Sequence, residues 1–209
     1  MSFFLVGVVF LSQHLFASAF DLSKVVEGDI IFQKSQSAQS AAIYEASGSP
    51  WSHVGIVVKN KGQVYVAEAV QPVRITPIDQ FIARGRGKEF IIKRFTFFDS
   101  ESMTSNLYSV VSQYIGKDYD ILFEFSDDKI YCSELVYKVF KQVTGSEVGT
   151  VQKFKDMRLD GPYVKKLIQE RLTNNGKELN LEEPIITPVS QLKDTNMMMV
   201  LSSPGAAVE

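Results

Sequence analysis

The sequence predicts an α+β fold in which an antiparallel sheet packs against helices. Three observations carry that expectation. Apolar runs of strand length crowd the first half of the chain, from Ile30 to Phe95. Polar turns such as Asn60-Lys61-Gly62 join neighbouring runs, as hairpins require. Segments of helical period, Cys132 to Val143 above all, dominate the second half. The 209 residues are 45% hydrophobic and 22% charged, which fits one globular domain with a sizeable core. A net charge of −2 provides no electrostatic footprint for nucleic acid.

The first twenty residues differ from the rest. Ser2 to Leu11 is an apolar run too short to span a bilayer, followed by the small residues Ala17-Ser18-Ala19. The pattern reads as a secretory signal over 1–19, cleaved after Ala19, with the globular domain over 20–202 and a flexible tail over 203–209. The departure is that no Lys or Arg lies near Met1, and a buried N-terminal strand or helix is the competing explanation. No cysteine follows Ala19, so a lipid anchor is not expected. The signal implies a secreted or periplasmic protein with no stable membrane insertion once it is removed.

Gly28-Asp29 opens the strand Ile30-Ile31-Phe32. Gln39 to Glu45 reads as a short helix stopped by Ser47-Gly48-Ser49-Pro50. His53 to Val58 is a nearly continuous apolar run and reads as a buried strand, with Val64 to Ala69 as its neighbour and a third short strand over Pro72 to Thr76. A helix is expected from Thr76 as N-cap, with Pro77 at N1, to about Ala83. Another strand follows over Glu89 to Phe95, then an amphipathic helix over Ser102 to Tyr114. In Cys132 to Val143, Leu135, Val136, Val139, Phe140 and Val143 share one helical face, and Gly145 marks the stop. Further helices are expected over Gly161 to Leu172 and from Thr187-Pro188, with a final edge strand over Met197 to Leu201.

Candidate chemistry centres on two residues. Cys132 is the only cysteine, and His53 is the only histidine outside the signal. A thiol without a partner in an oxidising compartment is an intermolecular bridge or a reactive group. At the first turn of a helix, unpaired N–H groups and the helix dipole favour a thiolate. A small buried hydrophobe would explain Cys132 equally well on composition alone. A histidine at a strand start supplies the base and acid that a thiol hydrolase needs. Glu68, in the apolar stretch Val66 to Ala69, is the best candidate to orient the imidazole, with Asp29 as runner-up. Glu134 reads as a helix-capping residue. Arg84-Gly85-Arg86-Gly87-Lys88 lacks both dinucleotide and P-loop spacing and reads as a solvated turn. Ser126 to Lys129 reads as a polar loop near the cleft. No close-spaced ligand pair is present, so no metal or other cofactor is expected.

Gly28 to Phe32, Ser52 to Ile56, Glu68-Ala69, Gly116 to Asp120 and Tyr131 to Leu135, taken in this order, resemble the NlpC-type cysteine peptidase superfamily. More specifically they resemble its YiiX/YebB-like branch, with the histidine before the cysteine. The resemblance implies a circularly permuted papain-like fold with Cys132 as nucleophile, His53 as base and Glu68 as orienting residue. Tyr131 and Trp51 are placed beside the nucleophile and pocket as substrate-binding or packing residues. The implied activity is a peptidase or amidase acting on a small peptide or amide, with bacterial cell-wall peptides (muropeptides) as the substrate class. A lipid acyltransferase or thioesterase on the same thiol, and a non-catalytic amine-binding module, are the competing functions.

Overall fold

The computed structural model describes residues 20–98 and 101–208. The expected signal, 1–19, lies outside the described residues. In chain order the elements are β1 (Ile30–Gln33), α1 (Ser40–Ser47), β2 (His53–Asn60), β3 (Gln63–Glu68), β4 (Arg74–Pro77), α2 (Ile78–Arg84) and β5 (Phe90–Phe95). There follow α3 (Glu101–Ser112), α4 (Cys132–Thr144), β6 (Gln152–Lys153), α5 (Pro162–Arg171), β7 (Pro184–Ile185), α6 (Pro188–Leu192) and β8 (Met197–Ser202). Six strands form one sheet in the order β4-β3-β2-β1-β5-β8, with every neighbouring pair antiparallel. β6 and β7 form a separate two-stranded ribbon.

The alternation of side chains across the strands builds two cores. Ile30, Phe32, Val54, Ile56, Val58 and Ile91 pack on one face of the sheet with Leu107 and Val110 of α3 and Leu135, Val136 and Val139 of α4. Ile31, Val57, Val66 and Ile92 pack on the other face with Ile78, Phe81 and Ile82 of α2. A sheet covered on both faces needs apolar residues at consecutive positions, which is why His53 to Val58 shows no polar alternation. α4 lies over β2, and this brings the start of the helix to the start of the strand.

Two local expectations are corrected. Thr76 does not cap α2: it belongs to β4, Pro77 is the N-cap residue, and the Thr76 hydroxyl donates to Glu68 at 2.6 Å. The segment after β8 does not hang free. Phe90 N–H donates to Ser203 Oγ and Ser203 N–H to Phe90 O, each at 3.0 Å, and Trp51 Nε1 donates to Ala207 O at 3.1 Å. The tail stays because it satisfies an indole donor that would otherwise be buried without a partner.

At Gly55 the neighbouring strand β3 leaves no room for a side chain. The register pairs Ile56 with Ala67, which sets Glu68 beside Gly55, two residues along from His53 on the same strand face. A Cβ at Gly55 would lie 2.4 Å from Val66 Cγ1 and 2.9 Å from the Ala67 carbonyl oxygen. Gly55→Ala is therefore expected to destabilise the fold by about 1–3 kcal/mol, read as a lower urea midpoint at unchanged m-value. An unchanged midpoint would show that the two strands separate without cost.

Candidate active site

Cys132 is the first residue of α4, and Tyr131 before it is extended, with φ −101° and ψ 169°. Glu134 Oε2 accepts the Tyr131 N–H at 3.3 Å, closing the first turn as expected of a capping residue. The first helical hydrogen bond runs from Leu135 N–H to Tyr131 O. The N–H groups of Cys132, Ser133 and Glu134 therefore have no partner within the helix. Backbone N–H groups of Val54 and Ser133 support the sulfur. Burial pushes the thiol pKa up, but hydrogen bonding and charge from His53, together with those two amides, outweigh it and hold Cys132 below the ordinary thiol value.

His53 stands between the thiol and a carboxylate. Its Nε2 lies 2.7 Å from Glu68 Oε2, which leaves Nδ1 as the nitrogen available to Cys132. The ring lies against Phe81 of α2, with centroids 5.5 Å apart and planes at 24°. Burial alone would lower the His53 pKa. Hydrogen bonds and charge from Cys132 and Glu68 prevail and raise it to about 9.

Glu68 has no exposed surface. Its Oε1 accepts from Thr76 Oγ1 at 2.6 Å, and Arg84 Nη2 lies 2.7 Å from both carboxylate oxygens. Burial pushes the carboxyl upward, but His53, Thr76 and Arg84 hold it down at about 2. Arg84 thus leaves the solvated turn expected for residues 84–88 and becomes the counter-ion of the orienting carboxylate. Asp29, the runner-up for that role, pairs instead with Arg94 at 2.6 Å and accepts the Val26 N–H at 2.8 Å. It ties the start of β1 to β5.

Tyr119 is a site residue that sequence reasoning passed over. Its hydroxyl hydrogen-bonds Cys132, and burial followed by the sulfur's charge pushes its pKa well above the ordinary phenol value. The direction of this bond follows from its neighbours. Arg171 Nη2 donates to Gln39 Oε1 at 2.9 Å, which fixes the amide, so Gln39 Nε2 donates to Tyr119 Oη at 2.8 Å. The phenol proton is then free to point at the sulfur. Gln71 Oε1 accepts the Tyr119 N–H at 2.6 Å and holds the loop in place. The only sequence signal was the position of Tyr119 within Gly116 to Asp120.

Two hollows adjoin the site, and Ile121 lines both. One is an apolar slot that reaches Cys132 and includes Tyr131 and Phe123 in its walls. The other is a polar groove that reaches His53, lined by Gln33, Ser35, Gln39, Gln71 and Tyr119 among others. Tyr131 faces the slot with its ring while its hydroxyl accepts the Ile186 N–H at 3.1 Å. Trp51 lines neither hollow, which corrects the expectation of a pocket wall. It is fully buried in the core, where its large ring stabilises more by excluding water than it would at a cleft. The 126–129 loop also lines neither, and Asp127 pairs with Lys138 of α4 at 2.7 Å.

Comparison with known proteins identifies the family and the fold. Residues 24–201 match the family described as "Permuted papain-like amidase enzyme, YaeF/YiiX, C92 family". The uncharacterized protein YiiX of Escherichia coli strain K12 is 41% identical over 161 residues, covering 77% of this chain and 78% of that protein. The crystal structure described as metalloprotein yiiX from Escherichia coli O157:H7 superposes with a TM-score of 0.80 at 38% identity, covering 85% of this chain and 97% of that one. With a single family spanning the sheet, the helices and all three residues of the Cys132–His53–Glu68 chain, this protein belongs to the YaeF/YiiX (C92) family of permuted papain-like amidases.

Proposed function

We propose that the chain is an exported cysteine amidase that works through a thioester acyl-enzyme. The observation that supports this most is the unbroken line from Cys132 through His53 to Glu68, with His53 held protonated up to about 9. Such a line stores a thiolate–imidazolium pair at neutral pH, the resting form of a thiol nucleophile. Cys132 Sγ attacks the amide carbonyl. The Cys132 N–H, free at the helix start, and the Tyr119 hydroxyl stabilise the oxyanion. His53 gives its proton to the departing amine, leaving the acyl group on sulfur. It then takes a proton from water, which attacks the thioester and releases the acid. Glu68 keeps Nε2 protonated so that Nδ1 does the proton transfer. Small amides are the substrates, and cell-wall peptides are the class that the resemblance implies for a protein carrying residues 1–19 as a signal.

The O157:H7 relative is described as a metalloprotein. The donor set here does not fit a bound metal. Among the described residues no three His, Cys, Asp or Glu side chains are placed to hold one, and both Glu68 oxygens are occupied by Arg84, Thr76 and His53. No step of the mechanism runs through a metal.

Iodoacetamide alkylation of the lone thiol tests the pair directly. Wild type is expected to react fully at pH 6–7, whereas His53→Ala shifts the apparent pKa upward past the ordinary value of about 8.5, because burial is then unopposed. Equal profiles would sink the ion pair. Turnover is expected to fall as pH rises through about 9, where His53 loses the proton that the leaving amine needs. Glu68→Gln is expected to lower kcat by about 10²–10⁴-fold and to move that alkaline limb to lower pH, since the carboxylate charge helps to hold the proton. An unmoved limb would show that Glu68 is a packing residue only. Tyr119→Phe should lower kcat by about 10–10³-fold with KM little changed. Unimpaired turnover in this variant would exclude the hydroxyl from the oxyanion site.

A further inference from the structure

The Tyr119 hydroxyl is held from behind by a chain of groups that the triad does not use. Gln39 stands immediately before α1, and Arg171 is the last residue of α5. The two helices are tied at both ends. Glu45 Oε2 of α1 accepts the N–H groups of Tyr163 and Val164 at 2.8 and 3.0 Å, and Gln39 Oε1 accepts from Arg171 Nη2 at 2.9 Å. Arg171 is itself fixed, because it donates to Ile121 O at 2.6 Å and lies over the Phe123 ring. From the other side, the Tyr119 N–H donates to Gln71 Oε1, and Gln71 Nε2 donates to Asp118 Oδ1, each at 2.6 Å.

The chemistry of these groups leaves one arrangement. A guanidinium has donors and no acceptor, so it faces the oxygen of the Gln39 amide. The Gln39 nitrogen then faces Tyr119 Oη at 2.8 Å and donates to it. A phenol has a single proton. With its oxygen already accepting from Gln39, the phenol sends that proton to Cys132. Turning the amide over would set N–H against guanidinium N–H and forfeit a hydrogen bond to a charged group. The reversed state is disfavoured by about tenfold or more on that ground. The donor is therefore oriented before any substrate binds, which is the condition for electrostatic stabilisation without reorganisation.

We propose that Gln39 and Arg171 are positioning residues that lock the Tyr119 proton on the thiol side of its hydroxyl. In the resting protein this proton supports the Cys132 sulfur. As the sulfur attacks and its charge passes to the carbonyl oxygen, the same proton serves that oxygen, a step that rests on the thioester amidase reading above. Gln39 and Arg171 keep their own protons throughout and touch neither the sulfur nor the reacting carbonyl.

The test uses the full domain and a substitution that keeps the shape of the chain but reverses its direction. Gln39→Glu retains the pairing with Arg171 and replaces the amide donor by an acceptor, so the phenol turns its proton away from the sulfur. It is expected to lower kcat about 10–10³-fold, the loss expected of Tyr119→Phe. Arg171→Met, which lets the amide turn over, should lose less. Combined with Tyr119→Phe, either variant should show the loss of Tyr119→Phe alone. Iodoacetamide alkylation reads the same chain without turnover. Gln39→Glu should raise the apparent Cys132 pKa by about 1–2, and its combination with Tyr119→Phe should match Tyr119→Phe. Gln39→Leu offers the phenol no competing acceptor and should lose less than Gln39→Glu in both assays, the reverse of the order that a packing role would give. Losses that multiply in the double variants, or a Gln39→Leu worse than Gln39→Glu, would overturn the lock and leave the amidase standing. Alkylation shifts as described, in a wild type that cleaves no amide, would uphold the lock and remove the amidase reading.

Discussion

A fully buried carboxylate must be compensated, and the compensation of Glu68 is what assembles this site. The charge sits on β3 with no exposed surface, so it recruits Arg84 from the end of α2, Thr76 from β4 and His53 from β2. Each partner lies on a different element, and each is held by the same charge. The linkage has a definite sign. The stabilisation that comes from Glu68 being ionised is complete above the ordinary carboxylate pKa near 4.5 and is lost as pH falls toward 2. The stabilisation that comes from His53 being protonated is complete below 6.5 and is lost as pH rises through about 9. Both are complete only between about 4.5 and 6.5, and much of the pair persists at neutral pH, where the thiolate is needed.

The fold was largely legible because its strands and helices are long and well patterned. Cys132 to Val143 carries an unbroken helical period and a glycine stop, and it forms the helix that period implies. Cys132 and His53 were legible because each is the lone residue of its type in the domain. The contacts that local sequence does not encode are long-range and polar. Arg84 looks like one of several charges in a glycine-rich turn, and nothing in its neighbourhood points to a carboxylate sixteen residues earlier at the end of β3. Thr76 followed by proline has the local signature of a helix cap, but a buried charge outweighs a cap, which contributes about 1 kcal/mol. Tyr119 acquires meaning only through Gln39 and Arg171, which lie 80 residues before it and 132 residues beyond Gln39 respectively.

Trp51 and the last residues teach the same lesson from the opposite side. A lone tryptophan two residues before the candidate base His53 invites a reading as a pocket wall. Its indole N–H instead needs an acceptor in the core, and the acceptor is the carbonyl of Ala207. The requirement that every buried donor be satisfied thereby orders a segment whose composition alone reads as loose.

The thiol lines the apolar slot and His53 lines the polar groove, so the two partners of the pair face different surroundings. In the proposed mechanism the triad makes the thioester and has no preference for what removes it. The hydroxyls of Ser47, Ser133 and Thr187 that line the slot already have hydrogen-bond partners within the protein. In that mechanism the group that deacylates Cys132 is activated by His53, which lines the groove. Hydrolysis and acyl transfer are therefore not distinguished by Cys132, His53 or Glu68. They are distinguished by what the groove around Gln33, Ser35, Gln36 and Gln71 retains after the amine has left: if it holds water, the protein is an amidase, and if it holds a second amine or alcohol, the same geometry passes the acyl group on.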